Sequence, residues 1–474
     1  MCSLNGYRCN SNDDEIPKNT KDSLIDIKVC RKCRIKDVDV LLLGQNGYCN
    51  MCFLTATNHK FRAALGKSKI IRHGDSILVD HSGELNSTVL LHLIKTGMNE
   101  STHKKLIFKT TVLYIDDALP NEITDEDRNS LQCKIAEQTK NFGFAYYIVS
   151  LSQVLNKDDT LDIRQFDNQL VKDNNDEQLH EILTNLPDNT SRTDLLEQLR
   201  RKLLLSAARK LNCNKVFVAD STMDIATKVL GNICLGRGAQ LSTLATFCDT
   251  RCTDIKILKP MRDFTQQEMM YYSQCHSLNP IKSKKINVTT QPATSIQALT
   301  YNFIMGMESQ FSSTISTIMR TAEKVSARNN KDNQDMENCV LCDASLDSVS
   351  SENNVTAMKA IEVSSLVSSK YFNARTSVTD KENESFSDKK SDRTSQCLSN
   401  NQKCCNNNSS QCGCMNGKMG QLTTEDVQKC LCYSCQLIFR NSNLLSRLPA
   451  SLLFAVQQRL ALKKMKEDIS DFLI

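Results

Sequence analysis

At 474 residues the chain has length for roughly two to four domains. Its 59 Lys and Arg against 54 Asp and Glu give +5, too slight a charge to mark a nucleic-acid binder by itself. No run of 18 apolar residues occurs and the first ten residues lack an apolar stretch, so neither a membrane-spanning helix nor a secretion signal is expected. With 22 cysteines and no export signal, the chain reads as cytoplasmic and metal-binding rather than disulfide-framed.

Residues 1–27 read as a disordered tail. Cys30-x-x-Cys33 and Cys49-x-x-Cys52, separated by fifteen residues, have the spacing of a tetrahedral four-thiolate site. Each pair makes a turn that aims two sulfurs inward, and Gly44 and Gly47 supply permissive backbone between them. The expectation is a zinc module over 28–62, with an iron–sulfur cluster as the alternative for the same ligands. Four thiolates close the coordination sphere, so the module is structural and not catalytic.

Residues 76–91, Ser-Ile-Leu-Val-Asp-His-Ser-Gly-Glu-Leu-Asn-Ser-Thr-Val-Leu-Leu, read as a buried strand, a tight polar turn and a helix start. Such a turn aims N–H groups and a positive helix end at one anion. Beyond it, apolar runs at Ile77–Val79, Leu106–Ile115, Phe144–Val149, Val216–Ala219 and Ile255–Leu258 alternate with helical patterns near 87–96, 124–141, 191–212 and 222–235. Strands alternating with helices predict an α/β domain over 63–330, a Rossmann-like parallel sheet with its ligand site at the C-terminal strand ends. Residues 156–190 read as a charged excursion. Ile304, Met307, Phe311, Ile315 and Ile318 recur at three- and four-residue steps, predicting one amphipathic helix over 297–328 packed on the core.

Residues 331–474 hold a second cysteine-rich module. Cys339-x-x-Cys342 and Cys432-x-x-Cys435 make a second four-cysteine zinc site, with Cys430 as a spare. Between them, 343–429 is rich in Ser, Asn, Lys and Asp and reads as a disordered insertion, and its Cys397, Cys404, Cys405, Cys412 and Cys414 as reduced surface thiols. Leu444, Leu445, Leu448, Leu452, Leu453, Val456 and Leu460 predict a terminal helix docked on the zinc module and core, with a partner surface as the alternative.

The turn at 82–87 resembles the Ser-Gly-Gly-x-Asp-Ser loop of ATP pyrophosphatases, with Glu84 for the second glycine and Asn86 for the aspartate. The order of motifs is more specific than any one of them: a four-cysteine module, Asn58-His59-Lys60-Phe61-Arg62, the altered loop, Leu199-Arg200-Arg201, Leu235-Gly236-Arg237-Gly238, Lys259-Pro260-Met261-Arg262-Asp263 and Leu431-Cys432-Tyr433-Ser434-Cys435. Over about 28–275 and 430–474 this resembles the cytoplasmic tRNA 2-thiolation family of PP-loop ATPases, in particular the branch of its non-catalytic subunit.

The resemblance implies a PP-loop sheet and a role in 2-thiolation of wobble uridine in Lys, Glu and Gln tRNAs. It implies a heterodimer with a catalytic subunit and sulfur delivered to the complex by a thiocarboxylated ubiquitin-like carrier. Active relatives carry a Cys-x-x-Cys just before their Leu-Arg-Arg; here those positions are Thr193 and Leu196, which can neither attack carbon nor hold a cluster. Their Gly-His-Asn-x-Asp-Asp segment is here Ala219-Asp220-Ser221-Thr222-Met223-Asp224. The expectation is therefore a pseudoenzyme with no catalytic residue. Ser82, Gly83, Asn86 and Ser87 form its degenerate nucleotide loop, where a Glu84 carboxylate near phosphate costs about 4 kcal/mol per like-charge pair at an effective dielectric near 20. Loss of ATP binding and residual binding both stay open. Lys60, Arg62, Arg200, Arg201 and Arg237 are the candidate tRNA contacts, near the basic run Lys67, Lys69 and Arg72. Two competing readings are an ATP-dependent tRNA adenylyltransferase or sulfurtransferase in its own right, and a zinc-ribbon RNA-binding scaffold without nucleotide.

Overall fold

All five expected apolar runs become parallel strands of one sheet. The computed structural model describes residues 29–42, 46–101, 105–119, 123–156, 161–167, 169–281, 295–311, 313–325, 338–346, 422–439 and 448–470. The expected tail at 1–27, the five cysteines of the expected insertion, Leu444 and Leu445 lie outside the described residues.

The chain opens with a hairpin, β1 (Val40–Leu42) and β2 (Asn46–Tyr48), and helix α1 (Asn50–Ser68). Then come β3 (Ser76–Asp80), α2 (Leu85–Met98), β4 (Lys109–Asp116), α3 (Asp125–Phe142) and β5 (Ala145–Ser150). After β6 (Arg164–Gln165) follow α4 (Asp176–Thr184), α5 (Asn189–Lys210), β7 (Lys215–Phe217) and α6 (Thr222–Cys234). A short α7 (Leu241–Ala245), β8 (Cys248–Asp249), β9 (Lys256–Leu258) and α8 (Gln266–Cys275) complete the α/β core. The sheet order is β6-β5-β4-β3-β7-β9-β8, parallel from β5 to β9, with the two-residue edge strands antiparallel.

Side-chain alternation along β3 explains the two cores. Leu78 faces a cluster with Leu199, Leu203 and Leu204 of α5, while Ile77 and Val79 face Leu90, Leu91 and Ile94 of α2. All three strand residues are fully buried, as a central parallel strand covered by helices requires. The chain steps from β3 outward through β4 and β5, then returns to β7 and β9 on the other side. The crevice between β3 and β7 is thus the topological switch point, where α/β sheets bind ligands.

Three expectations are corrected. Helix α1 runs unbroken through the expected domain boundary at 62/63, burying Phe53, Thr57, Phe61 and Leu65 at four-residue steps against the same core as α2. The single helix over 297–328 is two, α9 (Ile296–Gln310) and α10 (Thr314–Lys324). Ile304 and Ile315 are buried, but Phe311 falls at the break and is 57 % exposed. The expected insertion at 343–429 includes ordered chain: Asn338 and Ser345 form a bridge, and α11 (Thr424–Lys429) carries a Thr423/Asp426 capping box. Two further helices, α12 (Tyr433–Ile438) and α13 (Ala450–Ser470), end the described chain. Leu448, Leu452 and Val456 are buried in the cluster that holds Cys339 and Cys435, so the terminal helix docks on its own chain over its first turns. Among the described residues no helix is long and apolar enough to cross a membrane.

Candidate functional site

The turn after β3 is built around Gly83, whose φ of +79° suits glycine and disfavours any residue with a Cβ. A Cβ there would lie 3.0 Å from Ile135 and 3.1 Å from Ile281. Gly83→Ala is expected to cost about 1–3 kcal/mol, from left-handed strain and overpacking together, read as a lowered urea midpoint. Ser82 Oγ lies 3.2 Å from Ser87 Oγ, and Glu84 N–H donates to Ser82 Oγ at 3.3 Å. Glu84 occupies the N-cap of α2, exposed and without a side-chain capping bond. The nucleotide-loop residues are thus brought together at the positive end of a helix, with a carboxylate fixed beside it.

The loop opens into a cavity of about 340 Å³ at the switch point, lined by residues that follow β3, β7 and β9 and by α5. Its walls carry six carboxylates, Asp80, Glu84, Glu197, Asp220, Asp224 and Asp249, and five cations, Arg200, Arg201, Lys228, Arg251 and Lys259. The charges are spent on one another. Arg200 Nη2 donates to Asp80 Oδ1 at 2.8 Å, and Lys228 Nζ to Asp220 Oδ1 at 2.9 Å. Arg251 forks Asp249, its Nη2 2.6 Å from Oδ2, and Arg201 Nη1 donates to Asp343 Oδ2 at 2.5 Å. Lys259 donates instead to the carbonyls of Thr243 and Leu244, at 3.1 and 2.7 Å, and burial draws its ammonium down to about 8. Burial pushes the Asp220 carboxyl up, but Lys228 and Lys259 outweigh it and hold it low; Asp224, buried beside Asp220, is pushed up. Asn86 donates to Asp224 Oδ2 at 2.9 Å, so the residue that replaces the loop aspartate is tied to a helix cap. Among the described residues no cysteine lines the cavity.

Both cysteine quartets are assembled. The sulfurs of Cys30, Cys33, Cys49 and Cys52 all lie within 4.8 Å of one another, and so do those of Cys339, Cys342, Cys432 and Cys435. Within them Cys33 and Cys49 lie 3.9 Å apart and Cys342 and Cys432 3.6 Å apart, sulfur to sulfur. In the first centre the Cys30 N–H donates to the Lys36 carbonyl and the β1–β2 hairpin closes the module. The donor set and convergence fit a metal ion in each. Cys430 is buried, and its carbonyl accepts from Val340 N–H at 3.0 Å, tying one cysteine pair to the other through backbone.

Comparison with known proteins places this arrangement. The family model for cytoplasmic tRNA 2-thiolation protein 2 matches residues 295–437, which include α9, α10 and the second cysteine centre. Proteins of that name from Anopheles gambiae and Drosophila erecta are 32 % and 31 % identical over 348 and 343 residues, covering 72 % of this chain and 80 % and 81 % of their own lengths. The chain belongs to the cytoplasmic tRNA 2-thiolation protein 2 family. A further relative, protein 2-A of Xenopus laevis, is 26 % identical over 509 residues and 94 % of each chain. Among solved structures, the U34-tRNA thiolase NcsA from Methanococcus maripaludis with its 4Fe-4S cluster aligns at 18 % identity and a TM-score of 0.46, over 63 % of this chain and 86 % of that one.

Family membership bears out the resemblance carried by the motif order, and the structure places each motif arginine beside a carboxylate of its own chain. Arg237 is 2 % exposed, holding Asp194 (3 % exposed) with Nη1 and Nη2 at 2.8 and 2.7 Å. It is sealed from solvent and cannot meet RNA. Arg200 serves Asp80 and, at 3.6 Å, Asp117, while Arg201 serves Asp343 and, at 3.6 Å, Asp249. Lys60 pairs with Glu268 at 2.8 Å and lies over the Phe264 ring, and Arg62 pairs with Glu100. Sequence reasoning missed Asp80, Asp249, Arg251 and Lys259 as lining of the cavity and Asp194 as the partner of Arg237. Asp80 lay in the 76–91 stretch and Lys259 in the Lys-Pro-Met-Arg-Asp motif; the other three carried no local signal.

Proposed function

We propose that this chain is the non-catalytic, tRNA-holding subunit of a cytoplasmic complex that places sulfur on wobble uridine of Lys, Glu and Gln tRNAs. In that reading a catalytic subunit binds ATP and takes sulfur from a thiocarboxylated ubiquitin-like carrier. The observation that supports it is the cavity: among the described residues no thiol lines it, and its cations already serve the chain's own carboxylates and carbonyls. A triphosphate would have to displace those partners, each a charge-assisted bond worth roughly 1.5–3 kcal/mol, and would meet Glu84 at the helix end.

The tRNA contact in this reading lies at the other end of the sheet. Lys67, Lys69, Arg72 and Lys105 are exposed before β3 and β4 and Lys109 at the start of β4, and among the described residues no carboxylate pairs with them. The backbone brings them onto one edge: Lys109 N–H donates to Asp75 O at 2.8 Å, and Gly74 N–H to Ile107 O at 3.4 Å. The carboxylates beside them are already taken, Asp75 by Lys215 and Glu100 by Arg62. Unpaired cations on one edge suit a phosphate backbone.

Both cysteine centres are proposed to hold zinc. Thiolates about 2.3 Å from one tetrahedral ion lie about 3.8 Å apart, which agrees with the measured 3.9 and 3.6 Å. A four-iron cluster, binding each thiolate at a different iron, spreads its sulfurs further.

The test is calorimetry with magnesium ATP, followed by thiolation with the reconstituted catalytic subunit. The chain alone is expected not to bind ATP, and Ser82→Ala/Ser87→Ala to leave thiolation within about twofold while the complex assembles. ATP binding by the chain alone, or thiolation abolished in that variant, revives the adenylyltransferase reading. Lys69→Glu/Arg72→Glu is expected to weaken tRNA binding and to lower its salt slope by about one for each phosphate no longer neutralised. Unchanged affinity and slope would remove this edge from the reading.

A further inference from the structure

The second cysteine centre lies directly behind the wall of the cavity, joined to it through Gln240 and Arg251. The α6–α7 connection, Leu235 to Gln240, packs directly on it. Ser434 donates to the Leu235 carbonyl, and Gly236, at φ +80°, leaves only 3.3 Å between a would-be Cβ and the Tyr433 ring. Arg237 Nη2, besides holding Asp194, lies 3.6 Å from Cys435 Sγ, and Gln240 Nε2 lies 3.7 Å from Cys342 Sγ. Gln240 Oε1 accepts from Arg251 Nη1 at 3.3 Å, which also donates to the Cys342 carbonyl at 3.2 Å. Two of the four sulfurs therefore take N–H groups from one connection. That connection supplies Gln240 to the cavity wall, where it touches Arg251.

Four thiolates around one divalent ion keep a surplus of negative charge, and N–H donors placed at their sulfurs answer it and fix the ligands in position. We propose that the second centre is a metal-operated clasp on the α/β domain, with Arg237 and Gln240 as its positioning residues. When metal is bound, the Cys435 and Cys342 thiolates hold Arg237 and Gln240, which in turn hold Asp194 and Arg251 and so order the cavity wall. When it is removed, nothing holds the four sulfurs converged, Arg237 and Gln240 lose the acceptors that tie their connection to the centre, and the 236–251 wall loosens. The clasp requires metal at this centre and does not depend on which subunit performs the chemistry or where tRNA lies.

Amide hydrogen exchange on the full chain tests it, zinc-loaded and after zinc removal, with Cys342→Ser and Cys30→Ser as centre-selective variants. Loss of zinc at the second centre is expected to speed exchange in 236–251 at least tenfold, and Cys30→Ser to leave that segment unchanged. Equal exchange in 236–251 with and without zinc at the second centre overturns the proposal, and so does equal loosening by Cys30→Ser. Because Cys342→Ser removes a buried ligand and can unfold the module, Gln240→Leu gives an independent readout. It is expected to release one of the two zinc ions to a colorimetric chelator about 10–100-fold faster, the other at the unaltered rate. Unaltered release of both ions would show that the side-chain donor does not act on the metal.

Discussion

Asp194→Ala is expected to destabilise the protein by about 3–5 kcal/mol, the cost of leaving a buried guanidinium without its counter-ion. Both partners are almost sealed from solvent, at 2 % and 3 % exposure, and the fork makes two bonds of 2.8 and 2.7 Å. Without the carboxylate, Arg237 keeps one contact to the Asn232 side chain at 3.5 Å and one to the Cys435 sulfur. Neither repays the desolvation of a full charge. The pair also joins α5 to the connection after α6, so its removal is felt on both sides of the cavity. Urea unfolding followed by far-UV circular dichroism reads the shift in midpoint. Replacing both partners by apolar residues, Asp194→Leu with Arg237→Met, is expected to recover much of the loss, because no unpaired charge remains. A loss below about 1 kcal/mol for Asp194→Ala would mean that water reaches the guanidinium, contrary to its burial.

The second large effect is metal-specific. Cys49→Ser is expected to lower bound zinc from two ions per chain to one and to unfold the β1–β2 hairpin while the parallel sheet persists. Apparent zinc-binding energies of about 10–16 kcal/mol in small four-ligand modules are folding energies, so a three-ligand remnant of so short a hairpin has little else to hold it. Helix α1 should survive, because Phe53, Phe61 and Leu65 are anchored in the core shared with α2 and α8. Elemental analysis counts the metal, and protease cleavage N-terminal to residue 50 reports the hairpin. Retention of two ions would show that a water or a neighbouring donor replaces the missing sulfur.

The parallel sheet was legible because its strands centre on apolar runs such as Ile77–Val79, separated by helices of ordinary length. The cysteine centres were legible because ligand spacing is a local property. Helix α1 carried a readable period in Phe53, Phe61 and Leu65, but the cysteine spacing drew the module boundary through it. The pairing of charges was not legible. Arg237 meets a carboxylate 43 positions away, and Arg200 one 120 positions away, and nothing local in either motif says whether its guanidinium turns inward. A Gly-Arg-Gly segment is equally suited to approaching a phosphate or a buried aspartate. Only the folded chain, which brings α5 beside the α6–α7 connection, decides between them.

The sheet's margins limit how another subunit can join it. Its outer strands, Arg164–Gln165 and Cys248–Asp249, are two residues long and run against the others. A partner adding a strand would find at either margin too little backbone to register against. Among the described residues, association with this sheet is therefore left to side chains on helices and loops, where single substitutions can tune or abolish it without disturbing the sheet.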